Sequence, residues 1–251
     1  MDLKNHIWKN EKEIPNNSID DDNNGYIDDY YGWNFGENSN ITYSNEVSAS
    51  HGTHCAGIIA ADHNKIGVMG ILGNTNVKIM VLPIYSDNML KEEDLIEAIK
   101  YADNMGAEIC NISAIFVDEK REISNVIQCS NMYFVVSAGN FQNKIINGLD
   151  LDENKRFPAC CDCYNVITVG SINEKEDISR FSNYSKKYVD IVASGEYIYN
   201  TVPNDKYEYK SGTSMSTAIV TGILGAYYYS YTMTIQDAAK LMIMNAKKNL
   251  I

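Results

Sequence analysis

An α/β fold with a mainly parallel sheet is predicted by three observations. Short Val- and Ile-rich runs recur along the chain, helical periodicities lie between them, and no linker, internal repeat or low-complexity stretch breaks the series. Near-continuous apolar strands are those covered on both faces, and strand–helix alternation implies right-handed βαβ crossovers. With 251 residues and 45% apolar content, the chain can bury a large core. One domain spanning residues 1–251 is the expectation.

The first helix is expected where the small-residue segment His51-Gly52-Thr53-His54-Cys55-Ala56-Gly57 begins. Strands follow at residues 77–85, 108–112, 133–137, 166–170 and 189–193. Between the first two, residues 91–105 read as a helix, with Leu95, Ile96, Ile99 and Ala102 on one face, acids at its start and Gly106 as its stop. A weaker helix is expected from about Lys120 to Cys129. A long apolar helix runs from Ser214 to about Tyr229. A last one opens at Thr234, where Asp237 three residues on suggests a capping box.

Composition excludes several classes. A net charge of −12 repels nucleic acid and favours bound cations or basic partners. No apolar run reaches the length of a membrane span, and the polar opening residues do not read as a signal peptide. Of the six cysteines, Cys55 and Cys110 sit in apolar stretches and read as buried thiols. Cys160, Cys161 and Cys163 crowd one loop, where disulfides fit better than a zinc site that lacks a second ligand pair. Their pairing is not readable from spacing. Asn-x-Ser/Thr tripeptides occur at Asn16, Asn40, Asn111 and Asn183. The one at Asn111 falls in an expected buried strand and is a chance match.

Three segments carry chemistry. In Gly212-Thr213-Ser214-Met215-Ser216 a serine sits where an apolar helix begins, and His51 opens another helix. A serine hydroxyl needs a neighbouring imidazole to take its proton at neutral pH. The small residues beside both let a substrate backbone approach. At the carboxyl end of the 133–137 strand stands Ser137-Ala138-Gly139-Asn140. Asn140 there either caps a turn or donates its amide to a developing oxyanion.

Taken in this order, the segments resemble the subtilisin family of serine proteases, and the likeness spans nearly the whole chain. It implies a subtilisin-like three-layer fold that acts on protein or peptide substrates. His51 would be the general base and Ser214 the nucleophile, with Asn140 and the Ser214 amide as the oxyanion hole. His54, one turn beyond His51, reads as structural, and His6 and His63 fall in polar loops. The family order is Asp, His, Ser, and its Asp-Thr/Ser-Gly turn is found nowhere in this sequence. Met1-Asp2-Leu3 resembles the segment that follows that turn, so the aspartate's strand is expected upstream of Met1. A Gly-x-Asn segment of the family beyond the last helix is likewise missing here. The alternative reading is a catalytically incompetent scaffold that only binds.

Other roles follow the same likeness. The substrate cleft would be lined by Ser113, Ala114, Ile115 and Gly139, with Ile115 and Phe116 standing where the family places glycines. Cys55 sits behind the histidine segment, as in proteinase-K-like members. The resemblance also implies a secreted or secretory-organelle protein, a monomer, with an inhibitory propeptide as a partner.

Calcium is the expected cofactor. Asp20-Asp21-Asp22-Asn23-Asn24-Gly25-Tyr26-Ile27-Asp28-Asp29 resembles the first half of an EF-hand loop, without a Glu at the twelfth position. Five carboxylates in ten residues repel one another unless a cation joins them. The expected ligands are Asp20, Asp22, Asn24, the Tyr26 carbonyl, and Asp28 or Asp29. Similar acidic loops occur in subtilisin-like proteases of malaria parasites. A second site is implied by the likeness of residues 62–68 to a family calcium loop, through Asn64 and Asp2; an ordinary turn is the competing reading.

Overall fold

The computed structural model describes residues 2–43, 49–86, 89–117 and 121–246. Its central sheet has four parallel strands, β3 (Ile109–Ile112), β4 (Tyr133–Ser137), β5 (Val166–Ile172) and β6 (Ile191–Ser194), hydrogen-bonded in that order. Two-residue strands β1 (Tyr85–Ser86) and β2 (Met89–Leu90) form a separate pair. A hairpin follows the sheet, β7 (Ile198–Val202) with β8 (Lys206–Lys210). The helices are α1 (Ser50–Ala60), α2 (Glu92–Asn104), α3 (Arg121–Cys129), α4 (Thr213–Ser230) and α5 (Ile235–Asn245).

β4 explains the three layers. Successive side chains of a strand point to opposite faces, and all five residues of β4 are buried. Tyr133 and Val135 enter a core with Val220 and Leu224 of α4 and Ala238 and Met242 of α5. Phe134 and Val136 face Leu95 and Ile99 of α2 and Ile123 and Ile127 of α3. A continuous apolar run is therefore required of β4. The Thr234 cap forms as its sequence suggests, its hydroxyl accepting the Asp237 N–H at 3.2 Å.

The strand expected at residues 77–85 is a correction. Ile79 makes a single parallel bridge with Ile7, and only Tyr85 belongs to a named strand. Its backbone partners lie outside the sheet: Ile79 N–H donates to His6 O at 2.6 Å, His6 ending a short 3-10 turn, and Phe35 N–H donates to Pro83 O at 2.8 Å. Lys120, named as the start of the third helix, lies outside the described residues.

The cysteine loop holds a Cys161–Cys163 disulfide, while Cys160 and Cys55 are buried free thiols. Among the described residues no helix is long and apolar enough to cross a membrane.

Candidate active site

α1 is seated by the β7–β8 hairpin. A Cβ on Gly57 would lie 2.2 Å from Asn200 Oδ1, so only glycine allows this approach of helix to strand. Thr201 donates its hydroxyl to Thr53 O at 2.8 Å. His54 is fully buried, its Nε2 3.0 Å from Ile198 O and 3.1 Å from Glu208 O. It is the structural histidine that its spacing suggested. His51 stands one turn earlier and is exposed.

Residues four apart on a helix share a face, so His51 lies over Cys55. The Cys55 thiol in turn points to Ser214 O at 3.9 Å and bonds Ser113. The His51 and Ser214 segments thus meet above one buried sulfur. Burial pushes the Cys55 thiol up to about 12, which makes it a packing group and not a nucleophile. Ser214 is buried in the first turn of α4, where backbone N–H groups have no partner within the helix.

Asn140 is exposed at the end of the β4 turn and bridges to Ser182. Its Oδ1 accepts the Thr213 N–H at 2.9 Å and the Thr213 hydroxyl at 3.0 Å. With Oδ1 occupied, Nδ2 is the end left to donate elsewhere. A Cβ built on Gly212 would lie 3.4 Å from Asn140 Nδ2 and 3.8 Å from the Ser214 nitrogen. Two N–H donors therefore lie close to one point beside Ser214.

The turn that aims Asn140 depends on a residue that the sequence marked only as a sequon. Asn183 is buried, donates to Ala138 O at 2.9 Å and accepts the Leu149 N–H at 3.0 Å. The sequon at Asn183 is accordingly a second chance match, since its amide is enclosed. Gly139 has φ +88°, and a Cβ there would lie 2.6 Å from Ile115 Cδ1. Ile115 is thus packed on the proposed substrate residue Gly139. Phe116 N–H donates to Phe157 O at 2.7 Å, tying the 113–116 segment to the loop before Cys160. Ala114 packs into the α2–α3 core, and Ser113 accepts from Asn111 Nδ2 at 3.2 Å.

The His51 pKa lies below its ordinary value of 6.5. Burial of the ring is the largest cause, followed by the charges of Lys210 and His54. Lys210 closes β8 four residues before Ser214 and was not singled out by the sequence.

The acidic loop partly reorganises the expected ligand set. Glu13, Asp20 and Asp22 bring one oxygen each within 4.8 Å of one another. Asn24 lies beside them, its N–H donating to Asp20 Oδ1 at 3.0 Å, and its Oδ1 accepts the Tyr26 N–H at 2.8 Å. Asp28 instead accepts the N–H groups of Asn17 and Ser18 at 2.9 and 3.0 Å. Asp29 is fully buried and accepts from Asn10 Nδ2, Asn24 Nδ2 and the Tyr101 hydroxyl. The cluster fits a divalent cation, because buried Glu13 holds an oxygen, Oε2, with no protein partner. At the second loop, Asn64 Nδ2 donates to Asp2 Oδ1 at 3.1 Å, and the Tyr207 hydroxyl donates to Asp2 Oδ2 at 2.6 Å. Asp2 and Asn64 are brought together there, but by direct hydrogen bonds.

Residues 1–250 match the model of the subtilase family. The chain belongs to the subtilase family. It is 33% identical over 241 residues to Subtilisin-like protease 1 of Plasmodium falciparum (isolate 3D7), covering 88% of this chain and 34% of that protein. It is also 33% identical over 179 residues to the Major intracellular serine protease of Bacillus subtilis (strain 168), covering 69% of this chain and 53% of that one. The subtilase chain thus spans about a third of the length of the malarial relative. Among solved structures, a cold adapted subtilisin-like serine proteinase superposes with a TM-score of 0.72 at 25% identity, covering 88% of this chain and 75% of the other. The prenylagaramide maturation protease PagA follows at 0.67 and 27%, covering 79% and 72%. The fold is subtilisin-like, as its motifs implied.

Proposed function

We propose that this subtilase is a serine endopeptidase in which Ser214 attacks the scissile carbonyl and His51 takes the hydroxyl proton. His51 then gives that proton to the leaving amine, and water hydrolyses the acyl-enzyme by the reverse relay. The negative oxygen formed on attack is met by Asn140 Nδ2 and the Ser214 N–H. The observation that carries this reading is the convergence of those two donors beside Gly212. Protein or peptide chains are the substrates. Ser113, Ala114, Ile115 and Gly139 line the substrate cleft, which Ile115 narrows.

A carboxylate that orients His51 would stand at the open edge of β3. In support, β3 ends the four-stranded order, with β4 on its other side. Met80, Leu82 and Ile84 pack on the same core as Ile112 of β3 while their segment pairs outside the sheet. Residues 1–251 then form one peptidase domain, a monomer held in check by a propeptide. The Cys161–Cys163 disulfide fits an oxidising, secretory compartment. The acidic loop holds calcium, with Asp20, Asp22 and Asn24 at its centre and the Tyr26 carbonyl beside them. Asp2 and Asn64 are the weaker second candidate.

The test is labelling of the full-length protein with a fluorophosphonate probe, which reacts with an activated serine. Labelling of the parent and its loss in Ser214→Ala is the expected result. Equal labelling of both would sink the assignment.

A further inference from the structure

Four Asn-x-Ser/Thr tripeptides occur in the chain, and the fold divides them into two kinds. Asn111 donates its Nδ2 to Ser113 Oγ at 3.2 Å and accepts the Thr221 hydroxyl at 2.9 Å. Asn183 is buried with both ends of its amide bonded at the Gly139 turn. A large substituent on either nitrogen would strand buried polar groups. Asn16 and Asn40, by contrast, are exposed. The third residue separates these two. Thr42 is β-branched and stiff at χ1, so its hydroxyl is presented at lower entropic cost than that of Ser18.

The backbone around Asn40 is pinned from one side. Asn34 N–H donates to Ser39 O at 2.8 Å, and Asn34 Nδ2 donates to Ile41 O at 3.0 Å. The Thr42 hydroxyl donates to Tyr31 O at 3.4 Å, and Thr42 is buried. Asn40 thus stands between two anchored residues, and among the described residues its side chain makes no hydrogen bond. Beside it, Ile41 is 59% exposed and Tyr43 is 75% exposed. Neighbouring apolar side chains left in water favour self-association unless something covers them.

We infer that Asn40 is an N-glycosylation site whose oligosaccharide covers Ile41 and Tyr43. This rests on the reading that the chain passes through an oxidising secretory compartment, where the Cys161–Cys163 disulfide also forms. The donor is an oligosaccharide joined to a lipid through pyrophosphate. Asn40 Nδ2 bonds to the anomeric carbon, and the bond from that carbon to the pyrophosphate oxygen breaks with its electron pair. The lipid pyrophosphate leaves, and one amide proton passes to a base of the transferring enzyme. The Thr42 hydroxyl is the group this transfer requires two residues on. Because the fold buries Thr42, transfer precedes closure of the loop. The product is a bulky, solubilising group on an exposed turn.

Protein from the cells that express it would be digested and the Asn40 peptide sequenced by mass spectrometry. Peptide-N-glycosidase leaves Asp where a glycosylated Asn stood, and the expected result is this conversion at Asn40 and not at Asn111 or Asn183. In full-length protein passed through a secretory pathway, Asn40→Gln and Thr42→Ala should lose the glycosidase-sensitive mass, and Thr42→Ser should keep it. Stripping the glycan from the folded parent should raise the self-associated fraction about twofold or more, with far-ultraviolet circular dichroism unchanged. An unmodified Asn40 in protein whose Cys161 and Cys163 are paired overturns the glycan alone. An unmodified Asn40 with both thiols open to alkylation overturns the secretory reading with it. A glycan whose removal leaves self-association unchanged overturns the covering of Ile41 and Tyr43.

Discussion

Asn140 holds the start of α4 while keeping its amide nitrogen free. Its Oδ1 accepts both the N–H and the hydroxyl of Thr213, the residue before Ser214. Rotation of the amide is thereby fixed, and Nδ2 is presented without the entropy cost of ordering it during reaction. Such preorganisation is what makes an oxyanion donor effective.

Replacing Asn140 with Ala should lower kcat by about 10²–10³, the cost of one such donor in subtilisin, with KM nearly unchanged. The donor meets a charge that exists only in the transition state. Steady-state kinetics of the full-length protein on a peptide substrate checks this. A raised KM with normal kcat would place Asn140 in ground-state binding.

Lys210 should shift the pH profile. Its positive charge is one cause of the low His51 pKa. Removing the charge in Lys210→Met lets the pKa rise, and the acidic limb of kcat/KM should move to higher pH. Lys210→Arg should leave it in place. An unmoved limb in Lys210→Met would show that solvent screens this charge.

Tyr101→Phe should destabilise the fold by about 1–3 kcal/mol, because it strips a donor from a fully buried carboxylate. Urea unfolding at neutral pH measures it. No change in midpoint would mean that Asn10 and Asn24 alone satisfy Asp29.

Calcium should stabilise the folded protein by mass action, by about 2.7 kcal/mol at a hundred times the dissociation constant. Asn at both Asp20 and Asp22 should abolish most of that gain. Melting temperatures in calcium and in chelator test this, and a parent indifferent to chelator would make the loop a solvated acidic turn.

Gly139→Ala should impair the site without touching a reacting atom. Its backbone is left-handed, and the added methyl would meet Ile115. Reduced kcat with an unchanged fluorophosphonate-reactive fraction is the expected outcome; wild-type kinetics would show that the turn yields freely.

What the sequence determined by itself is local. The alternation of apolar runs and helical faces set the parallel α/β class, because burial on both faces of β4 imposes a pattern that neighbouring residues carry. The segments around His51, Asn140 and Ser214 stand out in the sequence for a similar reason, since each candidate residue lies beside small residues. The tertiary structure decided what depends on distant partners. Residues 77–85 read as a strand by composition, yet their partners lie outside the sheet and no ladder forms. Glu13, Lys210 and Asn183 are single polar residues without periodicity. Each gains its part only when folding removes water and brings it to the acidic loop, the histidine or the Gly139 turn. The fates of the loop's acids were decided in the same way. Asp20 and Asp29 look alike in the chain, and only burial against Tyr101 turns one of them into scaffold.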